Sequence, residues 1–285
     1  MVKNKKVSGY GQGGVDVIMS VDQVAKEAAA ISAAAPKSDE LEKLSKNDPL
    51  LSIKNLKAGY GKMEILHDFN LFVSKGQSLC LIGPNGAGKS TVLHSIFGFT
   101  NIFSGNITIG GKDITNLTPN QKLSNAGIAY ILQDKSVFPQ MTVEENLLMG
   151  GFLKDKPSEA KAATEMVFDK YERLAARRNK PAGVLSGGER RLLEISRALV
   201  MQPQILLVDE PSIGLEPRFI DMVFGILDDL QKKDGKTIIM VEQNAKKGLS
   251  FADIGYVLVS GETAIAETGD KVLSNPAVGR LFLGG

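Results

Sequence analysis

The sequence carries one cysteine, no tryptophan and two histidines in 285 residues. With Cys80 alone an intramolecular disulfide is impossible and a cysteine-built zinc site is not expected, both of which fit a reducing compartment. Net charge is also scarce: 34 Lys+Arg against 32 Asp+Glu leave +2, so no basic excess points to nucleic acid. Long apolar runs are missing too. Stretches such as Ile205-Leu206-Leu207-Val208 fall far below the roughly 20 residues that span a bilayer, so any membrane role is peripheral. The basic start, Met1 to Lys6, is followed by Asp16 and Asp22 without an apolar run of signal-peptide length, so no export signal is expected and the expected compartment is the cytoplasm.

What is present is an ordinary globular composition, 43% hydrophobic and 23% charged, long enough for one large domain or two small ones. Residues 1–48 differ from the rest: a glycine cluster (Gly9, Gly11, Gly13, Gly14) precedes an alanine-rich run from Ala28 to Ala35 that ends at Pro36. These residues read as a mobile extension in which Val21 to Ala35 could form one short helix with too thin an apolar face for a core. Residues 49–285 read as a single α/β unit. Leu79 to Ile82, Ile128 to Leu132, Ile205 to Val208 and Ile238 to Val241 are short apolar runs typical of buried, mostly parallel strands. Ile220, Val223, Phe224, Leu227 and Leu230 share one helical face, with Gly235 as the stop. From about 137 to 185 the rhythm changes to a helical insertion: Thr142 to Glu145 has capping-box spacing, and Ala163, Met166, Val167, Tyr171 and Leu174 predict a second helix. No internal repeat is present, so one nucleotide-binding unit is expected.

Gly83-Pro84-Asn85-Gly86-Ala87-Gly88-Lys89-Ser90 satisfies G-x-x-x-x-G-K-[ST] between a strand and a helix-compatible run, the context that a phosphate loop requires. Its glycines let successive N–H groups face one anion, and the helix N-terminus adds partial positive charge. Lys89 is expected on the β and γ phosphates of ATP, the Ser90 hydroxyl on Mg²⁺, and Thr91 on the α-phosphate. The strand ending in Asp209-Glu210 sets two carboxylates side by side, an arrangement that a cation would compensate. Asp209 is the natural metal-side residue and Glu210 the natural base for an attacking water.

With Leu185-Ser186-Gly187-Gly188-Glu189 added, residues 50 to 285 resemble the ATP-binding subunit of ABC transporters. The resemblance implies a P-loop NTPase fold of ABC type: an α/β architecture with a mostly parallel core sheet, an antiparallel β subdomain and a helical insertion. It also implies head-to-tail pairing of two subunits, so that Ser186, Gly187 and Gly188 of one close on the ATP held by the other, each at a helix start suited to an anion. Residue by residue, Tyr60 matches the aromatic that stacks on adenine, and Gln133 the glutamine that touches Mg²⁺ and the attacking water and senses the membrane subunit. Gln243 stands where most of the family has a histidine on the γ-phosphate. Glu216 stands where Asp is more usual.

Met141 to Leu147, Val241 to Ala245 and Phe282 to Gly285 are similar to the branched-chain amino acid importer ATPases, and in part to urea and amide importers. Arg190 and Arg191 followed by Glu194 and Ile195 are similar to the lipopolysaccharide-export ATPase. An importer reading implies a second ATPase subunit, membrane permeases, a periplasmic or extracellular substrate-binding protein, and a place on the cytoplasmic face of the plasma membrane. A soluble ABC ATPase of translation or DNA repair is the alternative of a different class.

Overall fold

The computed structural model describes residues 36–46, 48–133 and 136–283. The short helix expected within 21–35 lies outside the described residues, as do the last two glycines of the Phe282 to Gly285 resemblance. The chain divides into two compact units, one comprising residues up to Ile96, Thr100–Thr115 and those from Met240 onward, the other Phe97–Phe99 and Asn116–Ile239.

In the first unit Pro49–Tyr60 (β1) and Met63–Ser74 (β2) pair antiparallel, with the chain reversing through Gly61 at φ 58°. Asn101–Ile109 (β4) and the short Lys112–Asp113 (β5) extend this sheet in the order β2-β1-β4-β5. Alternation along β1 is broken where Asn55 adopts φ 50°, and the β1–β2 register shifts between Ile53 and Leu56. There the Asn55 N–H donates to Asn70 Oδ1 at 3.0 Å, a side chain taking the place of a ladder bond. Ser78–Ile82 (β3), buried throughout, pairs parallel with Ile254–Val259 (β9), against which Glu262–Thr268 (β10) runs antiparallel. Lys89–Phe97 (α2) follows β3.

Residues 36–46 fall inside the stretch expected to be mobile and are instead packed. Ser38–Glu42 (α1) buries Leu41 to 2% exposure, Gln77 Nε2 donates to Leu44 O at 3.2 Å, and Lys46 Nζ lies 2.7 Å from Asp253 Oδ1. No apolar stripe marks this helix because one leucine suffices to seat so short an element.

In the second unit Ile128–Ile131 (β6) and Ile205–Asp209 (β7) pair parallel. Thr237–Val241 (β8), whose last two residues belong to the first unit, is buried along its length. The larger sheet has strand order β10-β9-β3-β8-β7-β6. Pro119–Ser124 (α3) precedes β6. Thr142 forms the expected capping box with Glu145 and opens Val143–Gly150 (α4). The next helix is shorter than expected: Pro157–Lys170 (α5) stops at Tyr171, whose φ −126° and ψ 81° are not helical, and Glu172–Ala175 (α6) restarts the turn. Met166 correspondingly faces outward at 59% exposure, while Val167 and Phe168 are buried. Gly187–Leu199 (α7) packs Leu192, Leu193 and Val200 against Val143, Leu147 and Leu174, each buried aliphatic contributing roughly 1.5–3 kcal/mol. Arg178 clasps this bundle, reaching Glu144 and Glu165 at 2.5 Å each and covering the Phe168 ring at 4.7 Å. Pro217–Lys232 (α8) buries the predicted Val223, Phe224, Leu227 and Leu230, and Gly235 at φ 64° lets the Lys236 N–H close back on Leu230 O. Ala245–Phe251 (α9), Gly269–Leu273 (α10) and Pro276–Val278 (α11), the last followed by a π-helical segment at Gly279–Leu283, belong to the first unit.

Candidate active site

The phosphate loop lies in the first unit. It leaves β3 at Gly83, where a Cβ would sit 2.3 Å from Leu258 O, and it turns into α2 through Gly88 at φ 100°, so both positions require glycine. Pro84, Asn85 and Gly86 are exposed, Ala87 and Gly88 are buried, and the Ala87 N–H closes the turn on Pro84 O at 3.1 Å. Lys89 is 8% exposed; its Nζ donates to Gly83 O at 3.0 Å and Pro84 O at 3.1 Å, so the ammonium is folded across the loop. Ser90 and Thr91 continue into the first turn of α2.

Tyr60, at the hairpin tip, is 43% exposed, as a stacking platform needs to be. Its hydroxyl meets His94 Nδ1 at 2.5 Å, with the two rings edge-on at 6.1 Å. His94 lies one turn beyond Ser90 on α2, so the aromatic is keyed to the helix that starts at the phosphate loop. Gln243 is exposed in the bend after β8, next to the buried Glu242, whose Oε1 accepts from the Asn244 N–H at 2.8 Å.

The carboxylates and the Leu185-Ser186-Gly187-Gly188-Glu189 segment, the signature motif of the resemblance, lie in the second unit. The four buried residues Ile205 to Val208 of β7 carry Asp209 to a 6% exposed strand end, where Tyr130 donates its hydroxyl to Oδ2 at 2.8 Å. Glu210 follows with φ 44°, a left-handed backbone that costs a residue with a Cβ about 1–3 kcal/mol. Gln133 Nε2 donates to Glu210 Oε2 at 3.0 Å, so two residues 77 apart in sequence meet. Ser186 caps α7: its Oγ accepts from the Glu189 N–H, and Glu189 Oε2 accepts from the Ser186 N–H at 2.9 Å. That backbone bond, with help from Arg177, holds the Glu189 carboxyl below its ordinary pKa. Ser186 and Gly187 are exposed, whereas Gly188 is buried with the Phe219 ring 2.3 Å from where a Cβ would stand. Glu216 pairs with Arg218 at 3.1 Å, both exposed.

The same unit holds a cavity of about 300 Å³ bordered by Tyr130, Phe138, Met149, Glu194, Arg197 and Met201. Arg197 lies over the Phe138 ring at 5.5 Å, and burial draws its pKa below the ordinary arginine value, a shift that Glu194 opposes. Sequence reasoning assigned no role to His94, Tyr130 or Arg197, since each acts through a partner far away in the chain.

A phosphate loop between a buried strand and a helix, with an Asp-Glu pair at the end of a second buried strand, defines a P-loop NTPase. The ABC transporter family matches residues 66–213. The chain is 41% identical to the high-affinity branched-chain amino acid transport ATP-binding protein BraG of Pseudomonas aeruginosa, over 83% of this chain and 100% of that one. It is 37% identical to the probable branched-chain amino acid transport ATP-binding protein LivF of Archaeoglobus fulgidus, over 82% and 99%. It is 31% identical to the lipopolysaccharide export system ATP-binding protein LptB of Haemophilus influenzae, over 82% and 97%. A nucleotide-free ATP-binding cassette from an ABC transporter superposes with a TM-score of 0.73 at 29% identity, covering 83% of this chain and 100% of that one. The chain belongs to the ABC transporter family, as an ATP-binding and ATP-hydrolysing subunit. Among the described residues no helix is long and apolar enough to cross a membrane.

Proposed function

We propose that this subunit is the motor of an importer for branched-chain or other hydrophobic amino acids, working at the cytoplasmic face of the membrane. Its partners are a second ATPase subunit, integral-membrane permeases and, through the complex, a substrate-binding protein. The observation that carries the ATPase mechanism is Glu210, held in a left-handed conformation at the end of β7 with the Gln133 amide on its carboxylate. The amino-acid assignment is supported by the 41% and 37% identities to branched-chain transport proteins.

Tyr60 stacks on adenine, the N–H groups of residues 83–88 cradle the phosphates, and Lys89 turns from the loop carbonyls to the β and γ phosphates. Thr91 faces the α-phosphate. Ser90, Gln133 and Asp209 offer hydroxyl, amide and carboxylate oxygens, the hard donors that suit Mg²⁺. Held by Ser90, Gln133 and Asp209, such an ion would supply charge neutralisation to the phosphates. Glu210 accepts the proton of the water whose oxygen attacks the γ-phosphorus, the bond to the β–γ bridging oxygen breaks, and ADP and phosphate leave. Gln243 has no proton to exchange near neutrality and can only orient groups. Ser186, Gly187 and Gly188 serve the ATP of a paired subunit. The cavity bordered by Phe138, Glu194 and Arg197 receives a permease segment, whose acidic side chain would complement Arg197.

The test is reconstitution of the complex in lipid vesicles. Leucine with its binding protein should raise the ATPase rate, and Glu210→Gln should retain ATP binding while losing at least about 100-fold in turnover. Stimulation by urea or a short amide alone would reassign the cargo. Fast turnover by Glu210→Gln would remove Glu210 from the base role.

A further inference from the structure

Arg191 and Glu194 on α7 are 4% and 7% exposed and pair at 2.8 Å. Burying two charges costs more desolvation than an apolar pair of the same volume, so a buried pair has to be explained by what it holds in place. Arg191 Nη1 also donates to Leu132 O at 2.9 Å. Its Nε and Nη2 are buried and make no hydrogen bond among the described residues, so the whole polar output of this guanidinium passes through one nitrogen, shared between Glu194 and Leu132. Leu132 is the residue after β6 and the one before Gln133. Gln133 is bonded to Glu210, and Glu194 borders the cavity beside the β6 end. A chain of contacts therefore runs from the cavity wall through Glu194, Arg191 and the Leu132 carbonyl to Gln133 and Glu210.

We propose that the Arg191–Glu194 pair is the positioning element for Gln133. By gripping the Leu132 carbonyl, Arg191 fixes the direction in which the backbone leaves β6 and so aims the Gln133 amide at Glu210. Glu194 holds the guanidinium in that rotamer and offers an occupant of the cavity a handle on the same chain. Arg191 acts through Gln133 and does not touch ATP. The inference rests on the reading of Glu210 as the base.

The experiment is steady-state Mg·ATP hydrolysis by the full chain carrying Arg191→Met, Gln133→Ala or both, with thermal melting as a check on folding. Arg191→Met should lower kcat by about tenfold and leave KM for ATP within about twofold. Arg191→Lys, whose ammonium can still reach a carbonyl, should restore at least about a third of the loss. The double variant should be no slower than Gln133→Ala alone, because a residue that works through Gln133 has nothing left to position. If the two losses multiply, or if Arg191→Met changes KM and not kcat, the inference is overturned. Should Arg191→Met fail to fold, Glu194→Gln preserves the shape and weakens the grip; its loss in kcat should likewise vanish in the Gln133→Ala background, and persistence there counts against the proposal. Glu210→Gln separates the two readings. If it still turns over, the base assignment fails and this inference with it; if it is inactive while the Arg191 and Gln133 losses multiply, the positioning claim alone is wrong.

Discussion

Tyr60 carries its ring on a hairpin tip, a place where an exposed aromatic has many rotamers to choose from. The hydrogen bond to His94 narrows that choice before nucleotide arrives, so on the proposed stacking against adenine less side-chain freedom would be lost. His94→Ala should therefore raise KM for ATP by about three- to tenfold with kcat little changed, since the ring helps to bind the base and takes no part in the chemistry. Tyr60→Phe removes the same bond from the other side and should give a similar rise, with no further rise when both changes are combined. An unchanged KM in His94→Ala would leave the contact without a role in binding.

At the scale of elements, the segment around α1 has the properties of a strap on the first unit. Leu41 is buried, and Lys46 reaches Asp253, whose other oxygen accepts from the Ser78 N–H at 2.9 Å. Partial burial pushes the Asp253 carboxyl up, but Lys46 and Ser78 outweigh it and hold the pKa below the ordinary aspartate value. A chain starting at residue 36 should melt like the full protein, whereas one starting at residue 48 should lose the roughly 2 kcal/mol of one buried leucine, about 4–8 °C in Tm. A carboxyl with a depressed folded-state pKa contributes stability above its unfolded pKa and loses it as pH falls through the folded one. The gap between the two truncated chains should thus narrow below about pH 4. Equal melting of the two at neutral pH would show that the strap adds nothing.

The elements also show what could be read in advance. The phosphate loop, the Asp209-Glu210 strand, the capping box at Thr142 and the apolar face of α8 were legible because each is local: its physical cause lies within one turn or one strand of itself. β1 and β2 were not individually legible, because the left-handed Asn55 and the register shifts break the period of two on which strand reading depends. Tyr171 shares an apolar helical face with Val167, yet its backbone leaves the helix, so periodicity carried the expected helix one turn too far. The positioning contacts, Tyr130 on Asp209 and Arg191 on Leu132, join residues 79 and 59 apart, and residue type alone does not announce such a meeting.

For the whole molecule, the decisive count is one phosphate loop and one signature segment per chain. The start of α7 is already capped within its own chain by Ser186 and Glu189, and Ser186 and Gly187 remain exposed. A helix N-terminus kept accessible in this way favours an anion brought from outside, because the partial charge of the helix end is not cancelled by its own capping pair alone. In a head-to-tail pair that anion is the γ-phosphate on the other subunit's Lys89. Glu210→Gln, loaded with ATP, should then sediment at about twice the 30.6 kDa of the chain, while the nucleotide-free protein sediments as a monomer. Ser186→Tyr in the same background should return it to monomer by obstructing that approach, with ATP still bound at its own phosphate loop and detectable by equilibrium dialysis. A dimer that appears only when a second ATPase subunit is added would assign this chain to a heteromeric pair. An ATP-loaded protein that stays monomeric with the second subunit and the permeases present would refute the paired site.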